Sequence, residues 1–209
     1  MIVRRATMFL VLSGFLCSCS RAPETIAVSS EVKTIAEGYP FAVQLKNRIS
    51  LDAYLTGVLV DFDRQGDLFL VPQISYGFAS PKNGGRVFVI TVDNAKHQAY
   101  LVLDAPNPLK QNPRIPASTQ MPIDLNSITN GISEVLQIAK PNGLDEFCAM
   151  ASPTNGNVGL RLFNSDVGPI WSVIGDGWDD KGPIADLAIS IDAKTARVVS
   201  HSIQKAVNR

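Results

Sequence analysis

The feature that most constrains this fold is a series of short apolar runs, each cut off by a turn signal. From Tyr54 the chain reads YLTGVLVDF, then DRQGD, then LFLVPQISYGF. Val, Leu and aromatic residues on either side of a Gly-containing break predict a β-hairpin. Pro72 falls inside the second run and cannot donate to a ladder, so an edge strand or a bulge is expected there. SPKNGG marks the next turn. RVFVITVD and AYLVLDA, separated by NAKHQ, read as a second hairpin. Val87, Val89 and Thr91 would face one side and Phe88, Ile90 and Val92 the other. Both sets are largely apolar, so this strand is expected to be central and covered on both faces.

Residues 104–123 carry five Pro and cannot form regular structure, which predicts a linker or long surface loop at 105–125. Asn126 can cap a helix running from Ser127 to Ala139, with Ile128, Ile132, Val135, Leu136 and Ala139 on one face. Lys140-Pro141-Asn142-Gly143 ends it. NVGLRLFN, PIWSVIGDG, IADLAISID and RVVSHSIQ then read as four strands. The expected class is α+β: antiparallel sheet in each half, at 35–104 and 126–209, with one main helix packed on the second. VFVITVDNAKHQAYLVL and LAISIDAKTARVVSHSI echo each other as strand, Asp, turn with Ala and Lys, strand. Asp93 and Asp192 occupy corresponding places. Either the two are independent hairpins or the halves are a duplication.

The N-terminus gives an address. Arg4 and Arg5 precede the apolar run Ala6 to Leu16, which is too short for a permanent membrane span of roughly twenty residues but fits the core of a signal peptide. The run ends in Leu16-Cys17-Ser18-Cys19. This order resembles the lipobox of bacterial lipoproteins, with Leu16 as the aliphatic residue and Ser18 at the cut. The resemblance implies removal of residues 1–18, diacylglycerol on the Cys19 thiol and a third acyl chain on the new amino terminus. It also implies attachment to a membrane, since more than one chain is needed for stable anchoring. Ser20 after the Cys implies, in a Gram-negative host, the outer membrane facing the periplasm. Residues 19–34 then read as a flexible tether.

Lys plus Arg number 19, as do Asp plus Glu; losing Arg4 and Arg5 leaves 17 basic residues against 19 acidic. A near-neutral domain without a basic stripe argues against a nucleic-acid partner. Of three Cys, only Cys148 survives processing unmodified, so an intrachain disulfide is impossible and the core must supply stability.

The second half resembles PepSY-like domains in two pieces. ISEVLQIAKPNG supplies a helix with a Pro-Gly stop, and LAISIDAKTARVVSHSI supplies the last hairpin, though Lys194-Thr195-Ala196 stands where the family has Thr-Gly. The resemblance implies a helix followed by an antiparallel meander in an extracytoplasmic binding or inhibitory module, and it brings no catalytic residues.

Catalytic patterns are weak. Cys148 with His97 or His201 is the one thiol–imidazole combination available, and the apolar context EFCAMA reads as a small buried residue. Two His with no paired Cys give zinc little to bind, so no metal or other cofactor is expected. Asp61 to Asp67 resembles the start of a calcium loop, but Gln65 holds position five and Pro72 stands where a bidentate Glu belongs, which favours a hairpin turn. Asp176, Trp178, Asp179 and Asp180 form a possible ligand loop; the alternative is a solvated turn with Trp178 packed back on the sheet. Trp171, Phe163 and Tyr76 could line a groove with Trp178, although sheet aromatics are usually core. The expected function is a non-enzymatic envelope module that binds another envelope protein or a peptide through a sheet edge or the Trp-bearing loop. The competing expectations are a hydrolase built from Asp61, Asp63, Asp176, Asp179 and Asp180, or a carrier of a hydrophobic ligand.

Overall fold

The computed structural model describes residues 24–82, 86–106, 121–180 and 182–205. The signal segment, Cys19 and the Pro-rich residues 107–120 lie outside them. The elements in chain order are β1 (Thr25–Ala27), α1 (Ile35–Ile49), β2 (Tyr54–Gln65), β3 (Leu68–Ser80), β4 (Arg86–Asp93), β5 (Gln98–Pro106), α2 (Ile132–Ala139), α3 (Leu144–Met150), β6 (Gly156–Ser165), β7 (Gly168–Asp179), β8 (Gly182–Asp192) and β9 (Val198–Lys205). The class is α+β, but the architecture differs from a sheet in each half. All nine strands form one antiparallel sheet in the order β1-β5-β4-β3-β2-β6-β7-β8-β9. β2 joins β6 from Gly57 opposite Phe163 to Asp61 opposite Gly159.

Register explains where the core lies. Ile90, Tyr76, Val58, Leu162, Trp171 and Ile191 are cross-strand neighbours in one row across the sheet, and all six are buried. Their face is the one the helices cover. α1 packs over β3, β4 and β5, α2 over β7 and α3 over β8. The opposite face has no covering element among the described residues and carries small or polar side chains, including Ser75, Ser172, Ser190 and Ser202. Thus β4 is covered on one side, not both: Phe88, Ile90 and Val92 are buried under α1, while Val87 and Val89 are only half-buried. Thr91 is buried by its hydroxyl contact with Ser75 (2.7 Å).

α1 corrects the expectation of a single main helix. Thr34 caps it in a capping box, its hydroxyl accepting from the Glu37 N–H while Glu37 accepts from the Thr34 N–H. Pro40 lies inside the helix and removes one ladder donor. Gly38 lets the ring of Tyr76 lie against the helix, and the Tyr76 hydroxyl donates to the Ile35 carbonyl at 2.7 Å. The buried Lys46 ammonium closes the C-terminal end by donating to the carbonyls of Leu51 and Ala53, both at 3.2 Å.

Other boundaries also move. Thr25–Ala27, expected in the tether, pairs with β5, and Val28 and Val32 are buried. The helix expected at 127–139 starts at Ile132 behind Gly131, while Asn126 sits in a separate 3-10 turn capped by Asp124. Lys140–Asn142 forms a further 3-10 turn, and Gly143, at φ 119°, redirects the chain into α3, which the sequence reading left out. The Pro72 expectation holds as a bulge: pairing skips from Asp61–Gln73 to Asp63–Leu70. From Ile132 to Lys205 the order is α2, a 3-10 turn, α3 and a four-strand antiparallel meander.

Candidate functional site

A sheet of this kind ends in two edges, and the two are built differently. On one side β1 covers only Gln98 to Tyr100 of β5. The remainder of β5 is interrupted where Val89 pairs with Leu103 but Ile90 pairs with Leu101, leaving Val102 as a bulge. Arg86 and Asp104 clamp this stretch in an ion pair. A short cover strand, a bulge and fixed charges are the usual means of keeping an edge from pairing with another chain.

β9 at the other side has less protection. Its ladder to β8 runs without a break from Ser190–Ser200 to Ala185–Lys205, and the single register shift lies at Val198–Val199. Ser200, His201, Ser202 and Gln204 are exposed, and Val199 is 56 % exposed. No described strand lies on its outer side. Its one Lys is at the far end, where Lys205 pairs with Glu146 of α3 at 3.0 Å. A row of unpaired backbone donors and acceptors of this length is a template for another strand.

The turn leading into β9 is rigidly made. Asp192 accepts from the backbone N–H groups of Lys194 and Thr195, each at 2.8 Å, and Ala196 follows at φ 61°. Those donors hold the Asp192 carboxyl below the usual carboxylate range. Asp93 plays the same part before β5. It accepts from the Lys96 N–H at 2.9 Å, with His97 at φ 50°, again four residues on. Burial pushes the Asp93 carboxyl up, but hydrogen bonds from the Lys96 side chain and backbone prevail and its pKa is lowered.

The anticipated ligand loop is split. Trp178 and Asp179 end β7, and Asp180 lies in the exposed turn. Trp178 is 56 % exposed, so it does not pack back on the sheet; its N–H is held by the Asn155 carbonyl at 2.7 Å. Asp176 stands apart on the open face, directly opposite Asp186 and beside Asn157. Sequence reading passed over Asp186, whose alternation with Leu187 and Ala185 could have placed it on that face. Trp171 and Tyr76 are fully buried on the helix side, whereas Phe163 lies on the other face, so these aromatics do not share a groove with Trp178.

Of the carboxylates proposed for a hydrolase, two share a groove and the others do not join them. Asp61 and Asp176 border one shallow groove of about 340 Å³ with Arg161, but strand β6 lies between them. Two strand spacings and a two-residue offset put their Cα atoms roughly 12 Å apart. Asp63 and Gln65 belong to the β2–β3 hairpin, whose turn is Gly66-Asp67 with Gly66 at φ 63°.

Cys148 borders a cavity of about 510 Å³ with Arg64, Asp67, Phe69, Lys140 and Asp145; neither His lines it. Burial pushes the Cys148 thiol up, which disfavours the thiolate. The buried Arg64 guanidinium donates to the carbonyls of Ala151 (2.8 Å) and Cys148 (3.4 Å) and so caps the C-terminal end of α3. The more apolar hollow, between the N-terminal ends of α1 and α2, holds about 140 Å³, below the usual range for ligand pockets. Among the described residues no group of three or more His, Cys, Asp or Glu could hold a metal ion, and no helix is long and apolar enough to cross a membrane.

No family model matches this chain, and no curated protein does. Among solved structures, a putative lipoprotein from Clostridium difficile 630 is similar at 14 % identity and a TM-score of 0.45, covering 79 % of this chain and 92 % of that one. A similarity of that level fixes neither family nor function.

Proposed function

We propose that this chain is a lipid-anchored envelope protein whose domain works by binding a protein partner, without catalysis, and that the partner adds a strand to the β9 edge. The observation that carries the reading is the regular, uncovered ladder of β9 beside a β5 edge that is covered, bulged and clamped. Main-chain hydrogen bonds supply affinity in such pairing, and side chains alternating along the added strand supply selectivity. The exposed Trp178 belongs to the β7–β8 hairpin, at the end of the sheet where β9 finishes at Lys205, and offers an aromatic contact to the same partner. The anchor is Cys19, with residues 1–18 removed. The two runs of helix and meander are read as a duplication joined at β2 and β6, which leaves the fourth strand of each run farthest from the join, β5 with β1 added outside it and β9 with no described strand beyond it.

Anchoring is tested by mass spectrometry of the mature amino terminus. Acylated Cys19 is expected, and Cys19→Ser should release the chain from membranes. Edge pairing is tested with a photoreactive residue at Gln204 of the full chain in cells, where a discrete crosslinked band is expected. Of Ser202→Pro and Ile203→Pro, one removes a donor of the β8 ladder and the other an outward one. The variant that keeps the parental melting temperature is the outward one, and it should lose the band. A band that survives that variant rules out strand addition.

A further inference from the structure

β9 reads almost the same in both directions. Ser200 and Ser202 flank His201, and Val199 and Ile203 flank those. Strands related by a two-fold axis pair antiparallel, and directly opposed residues share a face. The axis must therefore pass through a residue, not between two. Through His201 it sets Ser200 opposite Ser202 and Val199 opposite Ile203. Through Ser200 it would set Val199 against His201, and through Ser202 it would set His201 against Ile203 and Val199 against Lys205. Of the three, the His201 register alone matches like with like from Val199 to Ile203, with Val198 opposite Gln204 beyond them.

We infer that the β9 edge pairs with β9 of a second copy of this chain, His201 lying on the two-fold axis, so that one sheet runs through both molecules. This rests on the edge-pairing reading above and names its partner. The exposed Val199, which the bulge leaves without a counterpart on β8, gains Ile203 of the second copy as an apolar neighbour. The two serines supply matched hydroxyls on the open face. α2 lies over β7 and α3 over β8, and no helix makes an extensive contact with β9. Lys205 meets Arg197 of the second copy at the ends of the pairing, and its charge is already matched by Glu146. Pairing one short strand buries less than the roughly 800 Å² per partner of a standard interface, so the dimer is weak in dilute solution. Confinement to a membrane raises the effective concentration and compensates.

The test is oxidative crosslinking of the full chain in cells, with Cys148→Ser as background. Directly opposed Cα atoms lie about 4.5–5.5 Å apart, within disulfide reach. His201→Cys should therefore form disulfide-linked dimers at least tenfold more efficiently than Gln204→Cys, whose symmetry mate is about 20 Å away in this register. Independently, Ser200→Glu should weaken the dimer, and Ser200→Glu with Ser202→Lys should restore it by placing opposite charges across the axis. Equal crosslinking at positions 201 and 204 means random collision and overturns the inference. A Gln204 photocrosslink to a different protein, with no crosslink at 201, overturns self-pairing and leaves the edge reading standing. Silence in both experiments removes both.

Discussion

Gly38 offers a sharp test of how α1 is seated. In a helix interior Gly costs about 1 kcal/mol relative to Ala, so on propensity alone Gly38→Ala should stabilise. The structure says otherwise. A methyl group at position 38 would land on the Tyr76 hydroxyl oxygen, far inside van der Waals contact, and 3.0 Å from Cγ1 of Val32. Tyr76 is fully buried and its hydroxyl is held by the Ile35 carbonyl, so it has nowhere to move. Overpacking of this kind costs about 1–3 kcal/mol, and the methyl here meets a pinned oxygen at the upper end of that range; once the propensity gain of about 1 kcal/mol is deducted, Gly38→Ala should lose up to about 2 kcal/mol. Tyr76→Phe alone gives up one hydrogen bond, about 1 kcal/mol. In the double variant the obstructing oxygen is gone, and the remaining contacts, Cγ1 of Val32 at 3.0 Å and the ring carbon at 3.3 Å, need only a small adjustment, so the propensity gain is largely recovered. The pair should be within about 0.5 kcal/mol of the parent, a coupling of about 2 kcal/mol in a double-mutant cycle read by urea denaturation. Additive single effects would refute the seating of α1 on Tyr76.

Two further outcomes follow from the same reasoning. Arg64→Met should lower stability by about 2 kcal/mol, seen in the urea midpoint, because the carbonyls of Ala151 and Cys148 lose a charged donor in a buried setting; an unchanged midpoint would show that the cap is dispensable. Asp192 has a folded pKa below its ordinary value, so its contribution is present above the ordinary carboxylate range and is lost as pH falls through the lowered one. Asp192→Asn should therefore flatten the melting temperature against pH below about 4, and a variant whose acid limb matches the parent contradicts the turn as described.

The strands were legible because each is an alternation or an apolar run bounded by a turn that needs Gly, Asp or Asn. The Gly66 turn and the Asp192 turn are local chemistry, and local chemistry is written in the sequence. α1 was hidden for a physical reason. Gly38 and Pro40 are poor helix residues, tolerated because Tyr76 fills the space beside Gly38 and bonds the Ile35 carbonyl. The Thr34-to-Glu37 capping box was nevertheless present as a start signal. The pairing of β2 with β6 was not legible, since it joins residues about a hundred positions apart with no turn between them to specify register. Whether Trp178 is exposed in a loop or packed on the sheet stayed open for the related reason that it depends on which strand lies beside it. Cys19 rests on a motif of four residues and lies outside the described part of the chain.

The arrangement of edges and anchor makes a geometric demand of its own. Thr25, in β1, is six residues from Cys19. Fully extended, that stretch reaches about 21 Å, so the β1 edge must stay close to the bilayer that holds the anchor. β9 is the last of nine strands, eight spacings away, or roughly 38 Å across the sheet before twist is counted. A dimer joined at β9 by a two-fold axis perpendicular to the sheet places its two β1 edges at opposite ends, roughly 80 Å apart. Both tethers can then reach one membrane only if the line joining the two β1 edges runs parallel to the bilayer. An orientation with that line along the membrane normal would carry one tether beyond its reach. The proposed dimer thus constrains the posture of the protein as well as naming its partner. Depth-dependent quenching of a fluorophore at Gln98 in one copy and of another at Gln204 should give similar distances from the membrane, whereas a monomer hanging from β1 would hold Gln204 far from it.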